Sequence, residues 1–159
     1  MKTLFFKGKI NDDNISELII RIEEIREETD EKIVIYFTSE GGAETSANIL
    51  VDYSELNDLS DVEFVIYWQL DSAAFDLMYR IKCKKRIING AFSCIHSYAM
   101  DLNTREEKQQ TEFLLKSLKR SNSRVINDFK NFLTEKELQA FENQEDVYLC
   151  DERLRLILC

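Results

Sequence analysis

Apolar positions follow two alternating rhythms over the first half of the chain. Thr3–Phe6 reads as a short strand, and in Asn14–Glu28 the residues Ile15, Leu18, Ile19, Ile22 and Ile25 fall on one helical face with acidic residues opposite. Ile33–Phe37 is a β-branched and aromatic run that predicts a strand, ending at Thr38-Ser39-Glu40-Gly41-Gly42. A helix with Ala47, Leu50 and Val51 facing inward follows. Val62–Trp68 then predicts a strand, Ala73–Ile81 a helix, and Arg86–Ile88 and Phe92–His96 two short strands.

The last third changes character. Thr104-Arg-Glu-Glu107 and Thr134-Glu-Lys-Glu137 each match a capping box, in which threonine and glutamate satisfy each other's orphan backbone donors, so each predicts a helix start. The first of these helices is long, with a stripe of Leu114, Leu118, Val125, Phe129 and Phe132. A strand at Val147–Leu149 and a short helix close the chain. Strand and helix alternating through residue 81 predict an α/β fold with a mostly parallel sheet. No linker, repeat or low-complexity segment divides the chain, so a single domain over residues 1–159 is expected.

Composition narrows the function classes. At 159 residues, 44% hydrophobic and 32% charged, the chain can bury a core of ordinary globular kind. Its formal net charge of −9 opposes nucleic acid or an anionic membrane as the main partner. No apolar run reaches the roughly 18 residues of a membrane helix, and the apolar run in MKTLFFKGKIND is too short for a signal peptide. With a single histidine and no C-x-x-C pair, no metal and no cofactor are expected, and the four cysteines read as reduced, mostly buried thiols of a cytoplasmic protein.

In open parallel sheets functional groups gather at the carboxyl ends of the strands. There the pattern places Gly41-Gly42 after Ile33–Phe37, Ser72 after Val62–Trp68, and His96 after Phe92–Ile95. Each suits acyl transfer. Adjacent glycines let backbone N–H groups face an oxyanion, a serine in a first helical turn lies at the positive end of the dipole, and an imidazole activates a hydroxyl. Each also has a structural reading: Ser72 as a helix cap with Asp71 competing for the role, Gly41-Gly42 as a turn, and His96 as a strand-end residue.

The stretches that carry these residues resemble the Clp-type (ClpP-like) serine peptidase family, within the ClpP/crotonase superfamily. "IVIYFTSEGGAETSANILVDYSEL" is similar to that family's strand, Ser-Pro-Gly-Gly turn and helix, and "YWQLDSAAFDLM" to its strand, Gln-x-x-Ser turn and helix. "KKRIINGAFSCIHS" resembles the strand pair that ends in the family's histidine, and "LTEKELQAFENQEDVYLCDERLRL" the segment that holds its aspartate. The resemblance runs from about Leu4 onward. It implies a triad of Ser72, His96 and Asp146, an oxyanion hole from the N–H groups of Gly42 and Ala73, and hydrolysis of short or unfolded peptides, with extended substrate added along a free strand edge. It further implies a head at about 1–103 and 134–159, a handle helix at about 104–133, and a homo-oligomeric ring or double ring. An ATP-driven unfoldase is the family's further partner. Its docking is disfavoured here, because the chain starts almost at the first strand.

The chain departs from the family in several places. Glu40 replaces a proline, Ala74 a glycine, and Asp71 a small residue, while Ser97-Tyr98-Ala99-Met100-Asp101 stands where a glycine-rich strand is usual. Two other readings stay open: a catalytically inactive Clp-like scaffold or assembly subunit, and a crotonase-type acyl-CoA enzyme, whose members are longer. Trp68, Tyr67 and Phe64 read as core or inter-subunit packing, Glu23–Glu31 as a solvated helix face, and Cys94 as no nucleophile, although strand alternation puts it on the same face as His96.

Overall fold

The computed structural model describes residues 1–96 and 108–159. These form an α/β fold, in the order β1 (Lys2–Lys7), α1 (Asp12–Glu28), β2 (Ile33–Ser39), α2 (Glu44–Leu56), β3 (Val62–Leu70), α3 (Ala73–Arg80), β4 (Lys84–Ile87), β5 (Phe92–Ile95), α4 (Lys108–Phe129), α5 (Glu135–Glu142), β6 (Val147–Cys150) and α6 (Asp151–Leu158). The sheet has six strands in the order β1-β2-β3-β5-β6, with β4 also pairing β3. The β1–β2, β2–β3, β3–β4 and β3–β5 pairs are all parallel. The alternating pattern therefore located its elements to within a few residues.

The chain divides into two compact units, Met1–Cys94 with Tyr148–Cys159, and Ile95–Val147. In the first, the register Phe6↔Phe37 and Ile35↔Phe64 aligns Phe6, Ile35, Phe37 and Phe64 on one sheet face, all buried. Phe6 stacks on Phe37 with centroids 4.6 Å apart, and Phe37 meets Phe64 edge-on at 5.8 Å. Ile15, Leu18 and Ile22 of α1 and Ala47, Leu50 and Val51 of α2 are buried as the helical period requires. Asn11 caps α1 by accepting from the Asn14 N–H at 2.8 Å.

A buried acid sits in the middle of the sheet. Glu63 of β3 accepts from Lys32 Nζ and, at 3.1 Å, from Arg86 Nε, and the Lys32 hydrogen bond, assisted by Arg86, holds its carboxyl below the usual range. The acidic residues of Glu23–Glu31 are all exposed, as expected of a solvated face, while Arg26 among them turns inward. Arg26 binds Asp61, Glu23 and the Asp58 carbonyl, while the Tyr53 hydroxyl donates to Glu23, so this end of α1 is tied to the α2–β3 connection. The Arg26 hydrogen bond lowers the Asp61 carboxyl, and burial, with the Glu23 hydrogen bond, raises the Tyr53 phenol.

The second unit is built on aromatic packing. Val125 and Phe129 of α4, Leu133, and Phe141 of α5 are buried, and Phe129 lies 4.9 Å from Phe132 and 5.8 Å from Phe141 between ring centroids. The capping box expected at Thr134 is present in both directions, with the Glu137 carboxylate accepting from the Thr134 N–H at 2.8 Å and Thr134 Oγ1 from the Glu137 N–H at 3.3 Å. The box expected at Thr104–Glu107 and the segment Ser97–Asp101 lie outside the described residues, as do the side chains of Leu114 and Leu118.

Two expectations need correction. The thiols are not fully buried: Cys83 and Cys94 are half-buried, beside β4 and on the outward phase of β5, and Cys150, at the end of β6, and Cys159 are exposed. Of the two places expected for Trp68, core or inter-subunit packing, the first is ruled out. Trp68 is 56% exposed, edge-on to Phe92 at 5.4 Å, because β3 turns it outward beyond the packed stretch Val62–Ile66. No described helix is long and apolar enough to cross a membrane, and no group of three or more acidic, histidine or cysteine side chains among the described residues is arranged to hold a metal.

Candidate functional site

The joint between β3 and α3 is the two-residue turn Asp71-Ser72, and Ser72 carries its unusual geometry. Its backbone sits at φ 51° and ψ −125°, in the half of conformational space that a residue with a Cβ avoids. Ser72 occupies the N-cap position of α3, but its side chain makes no capping hydrogen bond. The helix start is instead satisfied through backbone, with Ala74 N–H donating to the Asp71 carbonyl at 2.9 Å and Phe75 N–H to the Ser72 carbonyl at 3.0 Å. A strained strand-to-helix turn whose hydroxyl is not spent on capping the helix is the form a nucleophilic serine takes.

This strain has a measurable signature. Ser72→Gly should be more stable than Ser72→Ala by about 1 kcal/mol in urea unfolding, since glycine removes the positive-φ penalty that alanine keeps. An alanine variant equal or superior in stability would refute the strain.

The loop after β2 packs directly on this turn. A Cβ at Gly41 (φ 89°) would lie 2.7 Å from both Ser72 Cβ and the Asp71 carbonyl oxygen and 3.3 Å from the Ala73 nitrogen, so only glycine permits the approach. Gly42 (φ 149°) pairs with Ile10 in an isolated parallel bridge, in which Ile10 N–H donates to the Gly41 carbonyl at 2.8 Å and Ala43 N–H to the Ile10 carbonyl at 2.9 Å. Gly41 N–H donates to Ser39 Oγ at 3.0 Å. The N–H groups of Gly42 and Ala73 donate to no group among the described residues. Two uncommitted backbone donors beside a serine are the raw material of an oxyanion hole.

The departures noted in the sequence find local explanations. Glu40 is exposed and lies 3.9 Å from Lys9 Nζ, so the place of the expected proline is taken by a solvated ion pair. Ala74 is fully buried in the first turn of α3. Asp71 does not compete for the helix cap: its Oδ1 accepts from the Cys94 N–H at 2.7 Å and its Oδ2 from the Gln69 side-chain amide.

Beside the glycine loop, at the carboxyl ends of β1, β2 and β3, a cleft of about 270 Å³ is bounded by Lys7, Gly8, Thr38, Ser39, Glu40, Trp68 and Gln69. A bulge forms it. The β2–β3 register shifts between Phe37 and Ser39, and Thr38 Oγ1 replaces a ladder group by donating to the Gln69 carbonyl at 2.9 Å and accepting from its N–H at 3.0 Å. Sequence reasoning passed over Lys7 and Trp68 as lining residues; an aromatic residue so near the end of a strand was the available signal.

No protein-family model matches the chain, and no curated protein matches it.

The expected residues thus divide between the units. Gly42, Ser72 and Ala73 are grouped in the first, through the contacts of Gly41. His96 and Asp146 belong to the second. His96 is half-buried directly after β5, and Asp146 is exposed directly before β6.

Proposed function

We propose that the chain is a Clp-type serine peptidase that hydrolyses short or unfolded peptides as a homo-oligomeric ring, with α4 as the handle helix. The observation that carries this reading is the Ser72 turn, with its positive φ and a hydroxyl spared from capping. In this reading Ser72 Oγ attacks the peptide carbonyl while His96 removes its proton, and Asp146 orients the imidazole. The Gly42 and Ala73 N–H groups receive the oxyanion. Collapse of the tetrahedral intermediate breaks the C–N bond, His96 protonates the departing amine, and water then hydrolyses the ester.

A fluorophosphonate tests the reading, because attack by Ser72 Oγ forms a P–O bond and expels fluoride. Intact mass should show one adduct on the wild type and none on Ser72→Ala or His96→Ala. A folded, oligomeric wild type with no adduct at any protein concentration would sink the peptidase reading. The departures from the family at Glu40, Asp71 and Ala74 favour a second reading, a catalytically silent Clp-like scaffold. The same absence of adduct would support that scaffold.

A further inference from the structure

The residue before the nucleophile carries a carboxylate where a small side chain would suffice, and the structure shows where its oxygens go. Asp71 is half-buried, and both oxygens are engaged within the first unit: Oδ1 by the Cys94 backbone N–H at 2.7 Å, Oδ2 by the Gln69 amide. The turn answers in the reverse direction, with the Ser72 N–H donating to the Cys94 carbonyl at 2.9 Å. Cys94 therefore offers both its backbone groups to the dipeptide Asp71-Ser72. The ring this closes spans the end of β3 and the end of β5, where the ladder pairs Gln69 with Phe92. A further clasp lies alongside, as Ser93 Oγ donates to the Leu70 carbonyl.

Physical chemistry gives this arrangement a purpose. A backbone at φ 51° returns to an ordinary region unless its surroundings over-determine it. Hydrogen bonds to an ionised acceptor are about twice as strong as neutral ones, and this one acts on the residue adjoining the strained position. The approach of Gly41 constrains the turn from the β2 side, and Asp71 constrains it from the β5 side. The same bonds draw the carboxylate toward β5 and Gln69, where neutral N–H donors solvate it.

We infer that Asp71 is a positioning residue, which holds the Ser72 turn against β5 and thereby sets the reactivity of the Ser72 hydroxyl. The inference rests on the peptidase reading, with Ser72 as nucleophile. Asp71→Asn keeps a carbonyl oxygen for the Cys94 N–H and, with the Gln69 amide rotated, a partner for Gln69. Asp71→Ala keeps neither.

The test is the rate of fluorophosphonate labelling of wild type, Asp71→Asn and Asp71→Ala, under conditions where urea unfolding shows all three folded. Hydrogen exchange at the Ser72 and Cys94 amides is measured on the same samples. Labelling should slow about 10- to 100-fold in Asp71→Ala, the scale of a misplaced reacting group, and stay within about threefold of wild type in Asp71→Asn. Exchange at both amides should accelerate in the alanine variant alone. A purely structural role would lower the unfolding midpoint and leave the labelling rate of the folded protein unchanged, and that result overturns the inference. If the wild type takes no adduct, the peptidase reading falls, and with it any part of Asp71 in reactivity. The exchange data then decide alone whether Asp71 holds the turn, and unchanged protection in Asp71→Ala overturns that as well.

Discussion

Gly42→Ala should destabilise the protein by about 3–5 kcal/mol, combining the strain of a side chain at positive φ with loss of the bridge hydrogen bonds. A Cβ there would come within 2.2 Å of the Ile10 carbonyl oxygen and 2.9 Å of the Ile10 nitrogen, so both offending atoms are backbone and cannot rotate away. Either the Ile10–Gly42 bridge opens, or the loop shifts and carries Gly41 off the Ser72 turn. Gly90 is the internal control. It also has positive φ, 85°, but a Cβ there meets nothing within 4 Å, so Gly90→Ala should cost only about 1–2 kcal/mol. Urea unfolding followed by far-UV circular dichroism gives both numbers. Equal costs for the two variants would mean that the loop at Gly42 yields without consequence.

Phe37→Ala should cost about 3–5 kcal/mol, the range for deleting a fully buried phenyl ring. The ring lies between Phe6 and Phe64, one on each neighbouring strand, so its loss leaves a cavity across three strands that parallel pairing keeps from closing. Phe37→Leu should cost much less, about 1–2 kcal/mol, since most of the volume remains. The same denaturation experiment separates the two. A Phe37→Ala cost below that of Phe37→Leu would show that the neighbouring rings collapse into the space. Phe37 also stands where the β2–β3 register begins to shift, so the alanine variant should loosen the Ser39–Gly42 loop that rests on the strand end.

The first unit was legible because its signals are local. A period of 3.6 in α1 and α2 and unbroken β-branched runs in β2 and β3 need no knowledge of neighbours. The place of Ser72 at a strand–helix joint was legible for the same reason. What its hydroxyl and the Asp71 carboxylate do was not, because Asp71 bonds to a residue of β5 that only the parallel pairing brings alongside. Sequence proximity suggested a contest between Asp71 and Ser72 for one helix cap, whereas neither side chain caps α3. The core place offered for Trp68 failed because aromatic residues on central strands usually pack inward, and the register shift opposite Thr38 reverses that at the end of β3. The thiols misled because cysteine is buried on average, an average that carries no weight at strand ends.

The parallel pairing also governs how this chain can reach its native state. Lys2 pairs with Ile33 and Ile33 with Val62, so each of these ladders closes a loop of about thirty residues before its first hydrogen bond can form. The conformational search for those closures comes before any reward from Phe6, Phe37 and Phe64 meeting, which places the barrier to folding in topology rather than in helix formation. Until the second closure is made, β2 lacks its β3 neighbour, and on that edge its apolar run of Ile33, Val34, Ile35, Tyr36 and Phe37 is an open template for another nascent chain. The strand that underlies the Gly41–Gly42 loop in the folded protein is thus also the segment most exposed to misassembly during synthesis.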